Sequence, residues 1–171
     1  MVKQYAVIFF ALLITGSLFA EKVSSLSEGK ALASELNKPL LLDFMTDWWG
    51  SCKQFARAAE EDQEVIVVVA VPGEGVDLAK QYGIKGYPTF ILANANAETY
   101  YRWMGYTKDL LFTKMKAGFA DLTTIAEKQK RYQEKPDART AAVLADYSGS
   151  QSAYKEAIQY STKAVSLDDS K

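Results

Sequence analysis

Hydrophobic positions change their period several times along this chain, and each change marks an element. Over residues 27–37 Leu32 and Leu36 lie four apart on one face, which predicts a helix with Ser27 at its start and Pro39 ending it. Leu40-Leu41-Leu42-Asp43-Phe44-Met45 is an apolar run of the kind that forms a strand buried on both faces. Gly50 and Ser51 open a second predicted helix, residues 52–61, which ends in the acidic cluster Glu60-Glu61-Asp62. Residues 65–71 are β-branched almost throughout and predict a second buried strand. Pro72-Gly73 reads as a turn, and residues 76–82 as a short helix stopped by Gly83. Two further strands, residues 89–93 and 99–104, are joined by a polar loop around Asn94 and Asn96, so they predict an antiparallel hairpin.

Beyond Gly105 the pattern is helical. Helices are predicted over residues 107–119, over 123–134 with Thr123 as the cap, near 137–147 and over 152–167. The last two are separated by a predicted Ser148-Gly149-Ser150 turn. The basic run Glu127-Lys128-Gln129-Lys130-Arg131 is short enough to be a solvated face. Strand–helix–strand–helix–hairpin–helix in that order predicts an α/β fold whose central mixed sheet is flanked by helices on both faces, with a C-terminal helical extension.

The first twenty residues stand apart. Lys3 precedes an unbroken apolar run from Tyr5 to Ile14, and Ala20 offers a small residue for cleavage. A bilayer span needs about 20 apolar residues, so this run fits the core of a signal peptide better than a membrane anchor. Leu18 stands where a smaller residue is preferred, and cleavage after Ser17 is an alternative. The expectation is export without a stable membrane anchor: to the periplasm in a Gram-negative bacterium, otherwise secretion.

Composition narrows the chemistry. The 171 residues include 20 basic and 21 acidic side chains, one cysteine and no histidine. Without histidine there is no His-based triad, His–Cys dyad or His-ligated metal. With one cysteine there is no internal disulfide and no self-contained CxxC centre. The charge balance offers no basic footprint for nucleic acid. Neither a Gly-rich phosphate loop nor a ligand cluster occurs, so no cofactor or metal is expected.

The stretch Leu42-Asp43-Phe44-Met45-Thr46-Asp47-Trp48-Trp49-Gly50-Ser51-Cys52-Lys53 resembles the active-site segment of the thioredoxin family, an apolar strand with a buried Asp followed by W-C-G-P-C-K at a helix start. Gly83-Ile84-Lys85-Gly86-Tyr87-Pro88-Thr89-Phe90 matches the family's G-[IV]-x-G-x-P-T-F, and Arg102-Trp103-Met104-Gly105-Tyr106 looks like the end of its last strand. The resemblance covers residues 24–119 and implies a thioredoxin-like domain over 21–119. In that family a cysteine at a helix N-terminus attacks a disulfide, and a second, more buried cysteine releases the product. A cis-proline exposes the preceding backbone for strand-like pairing with substrate.

The mapping fails at one position. Trp49 occupies the first cysteine's place and Ser51 the proline's, while Cys52 matches the resolving cysteine beside Asp43. A neighbouring carboxylate and burial disfavour a Cys52 thiolate, and the helix dipole favours it. Cys52 reads as a small buried hydrophobe left from an active ancestor, as a monothiol forming mixed disulfides with glutathione or a client, or as one half of an intermolecular disulfide, and Asp43 as a relic or a working base. Trp49 reads either as a cap on the empty site against Pro88 or, with Trp48 and Tyr87, as an aromatic platform in the peptide groove. The resemblance implies a cis Tyr87-Pro88 bond. It implies an exported member of the thiol-disulfide oxidoreductase family, inactive as a dithiol enzyme, that binds a peptide or protein client through Trp48, Trp49, Tyr87 and Pro88. The alternative is a monothiol redox protein using Cys52.

Residues 120–136 read as a helical linker. Residues 137–171 resemble a single tetratricopeptide repeat, with Leu144-Ala145 as a packing pair and Tyr154, Ala157, Ala164 and Leu167 at second-helix positions. Departures are Ala141 at the repeat's Trp position and Asp169 at its proline. An ordinary amphipathic hairpin is the alternative. One repeat cannot bury its face alone, so these helices are expected to dock on the domain or to meet a protein partner.

Overall fold

The computed structural model describes residues 21–23, 25–45, 67–70 and 75–168. The sheet has five strands: β1 (Glu21–Val23), β2 (Leu40–Phe44), β3 (Val67–Ala70), β4 (Thr89–Ala93) and β5 (Thr99–Met104), in the spatial order β1-β3-β2-β4-β5. β1 and β2 run parallel to β3, while β4 runs antiparallel to both of its neighbours, β2 and β5, so the sheet is mixed as expected. Every residue of the central strand β2 is buried, which is why its sequence is an apolar run rather than an alternation. The β1 strand was not expected. It is three residues long and owes its existence to pairing with β3 far along the chain.

Six helices complete the described fold: α1 (Leu26–Leu36), α2 (Gly75–Gln81), α3 (Lys108–Phe119), α4 (Ile125–Glu134), α5 (Ala138–Ser150) and α6 (Tyr154–Asp168). One face of the sheet packs Val23, Leu40, Leu42, Phe44, Ile91 and Ala93 under Ala33 of α1 and Ala79 of α2. The other packs Leu41, Phe90, Leu92, Tyr101 and Trp103 under Leu111 and Met115 of α3, Ile125 of α4, and Val143 and Leu144 of α5. The alternation along β2 and β4 sorts these two sets, as the twofold period of a strand requires. Where Leu92 pairs with Tyr101 and Ala93 with Thr99, Tyr100 is left over as a bulge, and it joins the second core.

Three local expectations are corrected by capping and packing. The cap of α1 is Ser25, not Ser27: its side chain accepts from the Glu28 N–H, and Asn37 ends the helix in the left-handed conformation. The cap of α4 is Thr124, not Thr123. Thr124 and Glu127 form a reciprocal capping box, while the Thr123 hydroxyl and N–H both donate to Asp121. The Ser148-Gly149-Ser150 turn is helical and closes α5. Ser148 and Ser150 are buried there, Gly149 faces Ala157 of α6, and the reversal falls at Gln151-Ser152, with Ser152 at positive φ. The predicted helix 52–61 and the Pro72-Gly73 turn lie outside the described residues.

The C-terminal helices divide in role. α5 lies against β5 and supplies Val143 and Leu144 to the sheet's core. α6 packs outside α5, with Tyr160 edge-on to Tyr132 of α4 at 5.5 Å, and none of its side chains is buried. Among the described residues, no helix is long and apolar enough to cross a membrane.

Candidate functional site

The antiparallel register gathers three segments at one end of the sheet. Asp43 pairs with Phe90 and Phe44 with Thr89, so the end of β2 meets the start of β4 just after Pro88. Thr89 in turn pairs with Met104, the last residue of β5. The Gly105 N–H donates to the Pro88 carbonyl at 2.9 Å, and the Thr89 hydroxyl donates to the Gly86 carbonyl at 2.7 Å. These two bonds fix both sides of the Tyr87-Pro88 dipeptide. Its peptide bond is cis.

Two glycines shape this end in different ways. Gly105 has φ +95°, where L side chains are strained. At Gly86 the Met104 thioether rests on bare backbone: a Cβ there would lie 2.7 Å from the sulfur, and this flexible side chain would have to shift. Pro88 is buried, while Tyr87 and Met104 stay 46% and 41% exposed. Tyr106 stands partly buried over Phe90 at 6.3 Å, and Phe90 stacks on Trp103 at 5.2 Å. Burial pushes the Tyr106 hydroxyl pKa up, with Lys108 pulling the other way. Asp43, 7% exposed, lies one register position inside this end and on the Leu41 face of β2. The result is an apolar sheet end with two protruding side chains above a fixed backbone and a carboxyl beneath it.

The family model for thioredoxin matches residues 22–117. The chain belongs to the thioredoxin family. It is 33% identical over 82 residues to a thioredoxin of Mycoplasma pneumoniae, an alignment covering 45% of this chain and 78% of that protein. It is also 33% identical over 86 residues to a protein disulfide-isomerase of Oryctolagus cuniculus, covering 46% of this chain but 15% of the isomerase. A crystal structure of a poplar thioredoxin h superposes with a TM-score of 0.50 at 22% identity, covering 60% of this chain and 98% of that one, a likeness of fold.

Of the thioredoxin-family positions singled out in the sequence, Asp43, Tyr87 and Pro88 are brought to the same sheet end. Trp48, Trp49 and Cys52 lie outside the described residues. Sequence reasoning missed Met104 and its contact with the Gly86 backbone. The available signal was positional: Met104 directly precedes the glycine that ends the last strand, opposite the residue that follows Pro88. Among the described residues no group of three or more His, Cys, Asp and Glu side chains is arranged to hold a metal.

Proposed function

We propose that this chain is an exported thioredoxin-family protein that holds an extended segment of a client protein at the Tyr87-Pro88 end of its sheet and performs no dithiol catalysis by itself. The observation that carries this reading is the cysteine count: one thiol, Cys52, in 171 residues. Disulfide exchange proceeds through a mixed disulfide that a second thiol must release. With Trp49 in the first cysteine's place, a mixed disulfide at Cys52 has no partner in the same chain.

Binding does not need the missing thiol. Exposed apolar side chains beside fixed main chain suit an extended peptide, which gains affinity from backbone hydrogen bonds and selectivity from alternate side chains. Tyr87 and Met104 supply such side chains, and the bonds at Thr89 and Gly105 hold the backbone between them. Export is supported by the pattern of residues 1–20, a lone Lys3 before an apolar core.

The test is fluorescence anisotropy of a labelled, cysteine-free apolar peptide titrated with the mature chain. Binding is expected, and Tyr87→Asp weakens it by about tenfold or more, as truncation of an aromatic anchor does. Equal affinity in the two proteins would remove this sheet end as the binding site.

A further inference from the structure

We propose that the Met104 thioether is an oxidation site, converted to the sulfoxide by a hydroperoxide, and that the change remodels the Gly86–Tyr87 surface. The consequence for clients rests on the reading of that surface as a binding site; the oxidation itself does not.

Selectivity follows from burial. Met115 is 1% exposed and sits in the core, and Met45 is partly buried against it, whereas Met104 is 41% exposed at the end of β5. Thioether oxidation needs contact with the oxidant, so among the described methionines Met104 is the most open to it. In the reaction a sulfur lone pair attacks one peroxide oxygen and the O–O bond breaks. An S–O bond forms, the sulfur loses two electrons, and the other oxygen leaves with a proton as water or an alcohol.

Position gives the step its effect. The Met104 sulfur lies 2.7 Å from where a Cβ on Gly86 would be, so sulfur and backbone are in direct apolar contact. A sulfoxide puts a strong dipole and an added oxygen where that soft contact was. A polar group then stands against Gly86 and beside exposed Tyr87 where an apolar wall was. Client peptides with apolar side chains are expected to bind the oxidised form about tenfold more weakly, the effect of one apolar contact made polar. Sulfoxides are reversible by dedicated reductases, so the change can act as a switch rather than as damage.

The experiment treats the full mature chain with graded hydrogen peroxide and follows three readouts, comparing each protein with itself before and after treatment. Peptide mass spectrometry is expected to show Met104 gaining one oxygen well before Met115. Amide chemical shifts of Gly86 and Tyr87 are expected to move in step with that gain, and to stay put in Met104→Leu, which keeps Cys52 and every other oxidisable group. Oxidation of Met115 at the same rate as Met104 would overturn the proposal, as would Gly86 and Tyr87 shifts that move equally in Met104→Leu. Anisotropy of the same cysteine-free peptide supplies the third readout. If untreated protein does not bind the peptide, the client-binding reading fails while the oxidation site stands on the first two. If binding is present and survives full Met104 oxidation unchanged, the switch is refuted.

Discussion

The Arg102 guanidinium, midway along β5, donates to the main-chain oxygen of Ser150, the last residue of α5, at 3.4 Å. It also donates to the carbonyls of Tyr82 and Gly83, just past the end of α2. Arg102 is 2% exposed, and these three acceptors are all backbone oxygens. Helix C-termini carry partial negative charge, so two helix ends together stabilise one buried cation. Burial lowers the Arg102 pKa, with Tyr147 acting in the opposite sense, and a guanidinium stays charged regardless. This side chain ties the C-terminal helices to the point where the chain leaves α2 for the Tyr87-Pro88 loop.

Arg102→Met is therefore expected to destabilise the fold by about 3 kcal/mol, because it strips buried carbonyls of a charged donor. Arg102→Lys keeps the charge but not the fork of donors, and should lose a smaller part of that stability. Urea unfolding of the three proteins checks both the direction and the order.

Two glycines in helices should respond oppositely to alanine. Helix propensity alone favours alanine over glycine by about 1 kcal/mol. At Gly118 the new Cβ would stand 2.5 Å from Leu92 Cδ1 and 3.1 Å from Tyr101 Cβ, both in the buried core. Overpacking of that kind costs about 1–3 kcal/mol, so Gly118→Ala should lower stability. At Gly149 the nearest atom is Ala157 Cβ at 3.8 Å, an ordinary contact, so Gly149→Ala should raise it. Melting temperatures of the pair decide the matter.

Acid sensitivity should centre on the α3–α4 connection. Burial alone would raise the Asp121 carboxyl pKa. The Thr123 hydroxyl, Arg131, the Thr123 N–H and the charge of Lys128 outweigh burial and hold it well below the usual carboxylate range. Lys128, itself buried, also donates to the Asp121 and Thr123 carbonyls, so the charges and the turn are one unit. A folded pKa below the unfolded value contributes stability that is present above about pH 4 and lost as pH falls through the folded pKa. Asp121→Asn is expected to flatten the loss of stability below about pH 4, measured by denaturant unfolding at a series of pH values. Some slope remains, since Asp137 and Glu127 are shifted the same way.

What could be read from the sequence follows from which forces are local. β2 and the β4–β5 hairpin were legible because burial on both faces and a short polar loop leave their pattern in consecutive residues. β1 was not, since a three-residue strand is decided by its distant partner. The capping errors had a readable remedy. Ser25 with Glu28 and Thr124 with Glu127 both carry the capping-box spacing, which the adjacent Ser27 and Thr123 lack. The Ser148-Gly149-Ser150 error had none. Its composition is that of a turn, and only packing against α6 and the neighbouring helix ends keeps it helical. At the site, Asp43, Tyr87 and Pro88 stood out through motif spacing. Met104 and Arg102 did not, because their importance arises from what lies across the sheet or at a helix end.

The central claim is that the chain keeps a thioredoxin-family scaffold without dithiol turnover. The most direct measurement is disulfide reductase turnover by the mature wild type beside Trp49→Cys, each with and without added glutathione. Wild type is expected to show no turnover in either condition, and Trp49→Cys, with Cys52 restored to a partner thiol, is expected to turn over. Turnover by wild type with glutathione would contradict the account and make Cys52 a working monothiol.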